Sequence, residues 1–139
     1  MNQSNIEIFN RCVASALNVL YEKFPVPTDL VFNDLTIELW DDHIDDEVSY
    51  FEKHEIYSQT VNWLEKAGFI WLSNIETHVA YSVVLSPKGL ELLKVPSSLE
   101  KPCESLGDQI REALDKGAKD AAAGLVSKAL TTSITMFAS

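Results

Sequence analysis

An α+β, mostly helical fold is what this 139-residue sequence predicts, on three observations. Apolar residues recur every three or four positions over 5–23 and again over 54–67, the spacing of one face of a helix. Between 69 and 85 the period falls to two, as in paired strands. After a Pro- and Ser-rich stretch, helical spacing returns. The predicted order is helix, mixed segment, helix, β-hairpin, short helix and a C-terminal helix.

Ser4 and Glu7 have the spacing of a capping box, in which a hydroxyl and a carboxylate satisfy backbone N–H groups reciprocally. Phe9, Val13, Ala16, Leu17, Leu20 and Phe24 follow as the core-facing stripe. Pro25 and Pro27 remove donors and push the residues before them out of helical geometry, so this helix stops near residue 23. Residues 28–40 mix both periods and read as a short extended piece and a short helix. The helix over 54–67 is expected to bury Ile56, Thr60, Trp63, Leu64 and Ala67, with Gly68 at the left-handed C-terminal position. FIWLS and VAYSVVL form the hairpin, joined by NIETH. Ser86 caps a third helix that Pro87 opens, Leu90 and Leu93 share one side, and Pro96 ends it. The predicted units are a domain over 1–96, a linker over 97–105 and one C-terminal helix over 106–139, started by a second capping pair, Ser105 and Asp108.

Charge is the most informative global property. The net charge is −10, and residues 1–100 carry all of it, with 16 acids against 6 bases. Nine acids fall between 34 and 55, opposed only by Lys53. Such a block repels phosphate backbones and anionic lipid over about a Debye length. Cys12 and Cys103 are too widely separated to suggest a disulfide framework or a zinc site, and they fit a reducing compartment. MNQSNIEIF lacks the basic and apolar regions of a signal peptide, and no stretch is long and apolar enough for a membrane span, so a cytoplasmic location is expected.

The order of elements and two motifs resemble the winged helix-turn-helix superfamily. TVNWLEKAGFI is similar to the end of that superfamily's recognition helix entering the wing. YSVVLSPKGLELL resembles the wing's second strand running into the Leu-Thr-Pro-Lys-Gly helix start of MarR- and PadR-like regulators, with Ser86 in place of Thr. The resemblance covers residues 54–94 and implies a three-helix domain with a hairpin wing. It also implies DNA binding, with Ser58, Gln59, Asn62 and Lys66 as the contacting residues of the recognition helix. The chain departs from that pattern where affinity arises: the helix supplies few cations and SNIETHV supplies none.

No residues stand in a recognisable catalytic context. His43, His54 and His78 lie at polar or helix-end positions, Cys12 lies in an apolar helix, and the five glycines form no phosphate loop. The cluster Asp41, Asp42, His43, Asp45, Asp46 and Glu47 has oxygen ligands at short spacing but lacks the turn glycine and distal glutamate of an EF-hand. It reads as a solvated acidic segment. In the C-terminal helix, Leu106, Ile110, Leu114, Gly117, Ala121 and Leu125 make a stripe that fits either self-association or packing on the chain's own domain.

The expectation from sequence is therefore a non-catalytic module acting in protein–protein interaction, as a homo-oligomer or with a basic protein partner, without cofactor, metal or membrane. The alternative is a DNA-binding transcriptional regulator. A third and distant reading is a small metal binder or enzyme using the acidic cluster.

Overall fold

A computed structural model describes residues 5–39, 50–94 and 105–138. The chain folds around helix α1 (Asn5–Lys23), in which residues 12–17 are buried without interruption. A helix inaccessible on every side must be apolar or small all round, and CVASAL satisfies this. The remaining elements wrap it: β1 (Thr28–Val31), α2 (Phe32–Leu39), α3 (Tyr50–Lys66), β2 (Ile70–Trp71), β3 (Asn74–Ile75), β4 (Val79–Leu85), α4 (Pro87–Lys94), α5 (Leu106–Asp115) and α6 (Lys119–Ala138). The structure is mostly helical with a small antiparallel sheet, as the sequence predicts. Among the described residues no helix is long and apolar enough to cross a membrane.

Strand β4 is the centre of the sheet. It pairs with β1 on one edge and with β2 and β3 on the other. One β1 residue, Asp29, lies opposite two on β4, Tyr81 and Ser82, since Thr28 faces Val83 and Leu30 faces Ala80. The extra residue is accommodated by Ser82, at φ 54, and the Asp29 carboxylate accepts the Ser82 N–H at 2.9 Å. This is a β-bulge held by a side chain. The hairpin is longer than the period-two runs suggest, because Asn74 and Ile75 also pair with β4 and the chain reverses at Thr77 and His78.

Helix α3 packs on α1 through Tyr57, Val61 and Leu64, and the Tyr57 hydroxyl meets Ser15 at 3.0 Å inside the core. It begins at Tyr50, four residues before the expected start. Its buried face is also rotated from the expected one: Trp63 is 38% exposed and Ile56 half-buried. Trp63 lies at the edge of the interface, edge-on to Phe9 at 5.0 Å and stacked near Phe69 at 6.3 Å. A Schellman motif ends α3, with Gly68 at φ 90, its N–H on the Glu65 carbonyl, and Phe69 N–H on the Leu64 carbonyl.

The expected single C-terminal helix is two. Gly117, at φ 75, donates to the Leu114 carbonyl and Ala118 to the Ala113 carbonyl, which is the same terminating motif. Ser105 caps α5, accepting the Asp108 N–H at 3.1 Å. α5 and α6 then turn back over α1. Gly107 sits against the Tyr21 ring, where a Cβ would lie 2.6 Å from a ring carbon. Ala122, Val126 and Leu130 of α6 are buried in the common core. Arg11, largely covered, reaches Asp120 of α6 at 2.7 Å and the Leu39 carbonyl that ends α2 at 3.4 Å. Ser4 lies outside the described residues, so its capping role is not among the observed contacts.

Glycine substitutions separate these roles. A Cβ on Gly89 would fall 2.1 Å from the Phe69 carbonyl oxygen, so Gly89→Ala should cost about 1–3 kcal/mol through forced movement of backbone. Gly124 is exposed within α6 with nothing within 4 Å of a Cβ, so Gly124→Ala should gain about 0.8–1.0 kcal/mol. Urea denaturation of both variants checks the opposite signs.

Candidate functional site

The surface that the resemblance singles out is formed by α3 and the β3–β4 turn. α3 carries Glu52, Glu55 and Glu65 with Lys53 and Lys66, and the span 70–85 adds Glu76 and no Lys or Arg. Gln59 is exposed and donates to Glu55 at 2.8 Å, so its amide is engaged by an acid on the same helix. Ser58 is half-buried and lines an open groove with Ile75, Glu76, His78 and Tyr81. Asn62 is half-buried and Lys66 exposed at the helix end. The four residues named for DNA contact thus share one helix, and only Lys66 among them is a cation.

Lys88, the next base along the chain, is tied to the fold. Its Nζ donates to the Ala67 carbonyl at 2.8 Å and stands 4.6 Å from the centre of the Phe69 ring. It therefore neutralises the negative end of α3 and covers an aromatic face. Ser86 completes the junction, donating to the Gly68 carbonyl while its oxygen accepts the Gly89 N–H at 3.1 Å. The SPKG motif is thus a joint between the end of α3, the hairpin and α4.

His78, which lines the groove, meets a second histidine on α3. His54 Nδ1 and His78 Nδ1 are 2.8 Å apart, with ring centres at 4.9 Å and planes at 81°. Burial, and then the neighbouring imidazole, hold the His54 pKa below its ordinary value. On the exposed side of the groove, Tyr81 donates weakly to Glu76 at 3.4 Å. The Glu76 charge is the main cause that raises the Tyr81 pKa. The two histidines are 24 positions apart in unrelated local patterns, so no spacing marks them in the sequence.

The C-terminal stripe is divided among different tasks. Leu106 and Ile110 are buried within the chain, Leu114 and Leu125 are half-buried against the same core, and Gly117 and Ala121 are exposed. Cys12 is buried, and burial pushes its thiol up to about 12, far from a nucleophilic thiolate. The acidic cluster at 41–47, with His43, lies outside the described residues. Among the described residues no group of three or more His, Cys, Asp or Glu is placed to hold a metal ion.

Compared with known proteins, the chain matches no family model, no curated protein and no solved structure.

If Lys88 serves the fold, Lys88→Met should lower stability by about 1–2 kcal/mol through loss of a charge-assisted bond to a helix-terminal carbonyl. Equilibrium denaturation reads this directly. An unchanged midpoint would leave that ammonium available to an external anion.

Proposed function

We propose that this chain is a non-catalytic winged-helix module acting through protein–protein contacts, self-association included. The fold reading is supported by the succession of α1, β1, α2, α3 and the β2–β4 hairpin, with β1 hydrogen-bonded to the strand that leaves the hairpin. The interaction reading rests on one observation: the surface around α3 and β2 is acidic and exposes large apolar side chains, with Trp71 58% and Trp63 38% exposed. Aromatic groups at a surface provide the contact area that protein interfaces favour, while carboxylates oppose a polyanion.

Among the described residues, we assign self-association to the outer face of α6. Ala121, Gly124, Ser127 and Lys128 are exposed there, whereas Leu106 and Ile110 serve the chain's own core. The second reading, a DNA-binding transcriptional regulator, draws on Ser58 lining the groove beside the hairpin turn.

Two measurements test these readings. In a shift assay with random duplex DNA at about 50 mM salt, where non-specific affinity appears first, the chain should leave DNA unretarded. Retardation that weakens steeply with added salt would favour the regulator. In light scattering, the chain should have a mass above that of a monomer, and Ala121→Arg should return it to monomer without loss of helical signal. A monomeric mass across the accessible concentration range would defeat self-association.

A further inference from the structure

We propose that His54 and His78 form a binding site for a late first-row divalent transition ion, Zn²⁺ being the reference case, held through both Nδ1 atoms with water completing the coordination. On a tetrahedral ion with ordinary zinc–nitrogen bonds, two imidazole nitrogens lie roughly 3.3 Å apart and the ring centres roughly 5 Å apart. The observed separations are 2.8 Å and 4.9 Å, with the rings nearly perpendicular. At 2.8 Å the two Nδ1 atoms share a hydrogen bond, so the ion takes the place of that proton once it has moved to Nε2 and the nitrogen pair has opened by about 0.5 Å. Each ring then carries its proton on Nε2.

The frame around the pair is fixed. His54 belongs to α3 and is 3% exposed. His78 sits in a turn closed by the Glu76 N–H on the Val79 carbonyl at 2.8 Å, and its own carbonyl accepts the Phe32 N–H at 2.9 Å. An entry path exists because His78 is exposed and borders the open groove. Glu52 and Glu55 on α3 and Glu76 on the turn outnumber Lys53 nearby in sequence, which favours a cation. Imidazole ligands select Zn²⁺, Ni²⁺ and Cu²⁺ over Mg²⁺ and Ca²⁺, which prefer oxygen. The site uses α3 and the β3–β4 turn alone and does not depend on what the winged-helix surface binds.

The test is calorimetric titration of the full chain, stripped with chelator, with Zn²⁺, Ni²⁺ and Mg²⁺, alongside thermal melting. Saturable binding of Zn²⁺ and Ni²⁺ should raise Tm, because an ion that binds only the folded state stabilises it, whereas Mg²⁺ should leave Tm unchanged. His78→Ala, a substitution at an exposed turn, should weaken Zn²⁺ binding by about tenfold or more. Paramagnetic Co²⁺ should shift the ring protons of both histidines in the unmutated chain. The proposal is overturned by absent Zn²⁺ binding, an equal response to Mg²⁺, unchanged affinity in His78→Ala, or Co²⁺ shifts confined to other residues.

Discussion

The structure depends on a helix with no face left for water. Because residues 12–17 of α1 are buried in succession, cover must arrive from every direction: α3 and α2, the sheet, and the pair α5 and α6. A two-layer arrangement of α1 and the sheet would leave one side of CVASAL in solvent. Small side chains at 14–16 suit that crowding, since they let surrounding helices approach the α1 backbone. Among the polar groups admitted, Ser15 is matched by the Tyr57 hydroxyl. Arg11 joins the same arrangement from the rim, linking α1 to the end of α2 and the start of α6.

Much of this fold was legible because its punctuation is local. Gly68 and Ser105 occupy the termini that their sequence contexts announce, and the period-two run ending at Leu85 is the central strand. Gly117 makes the same terminating contacts as Gly68 yet reads differently in sequence. Gly68 is followed by a strand pattern, whereas Gly117 is followed by AKDAAAGL, which continues helical spacing and hides the break. Trp63 misleads for another reason: side-chain hydrophobicity does not say where a helix centres its contact, and tertiary packing kept the expected Leu64 but added Tyr57 and Val61 in place of Trp63. The Ser82 bulge depends on Asp29, 53 residues away, and no local pattern records such a partnership.

The candidate site divides in the same manner. Its acidity is a sum over residues and could be read from the chain alone, and α3 with its hairpin neighbour was placed by pattern. What required coordinates was the use of each group. Lys88 counts as a cation in sequence but faces a carbonyl and an aromatic ring in the fold. His54 and His78 are unremarkable separately, and only the antiparallel return of the hairpin beside α3 sets their nitrogens together.

The enclosure of α1 also bears on how the polypeptide leaves the ribosome. α6, one of its principal covers, lies more than a hundred residues downstream, so the apolar circumference of α1 must wait for that segment to emerge. At about 5–20 residues per second the interval is several seconds or longer, during which the apolar circumference of α1 stays incompletely covered.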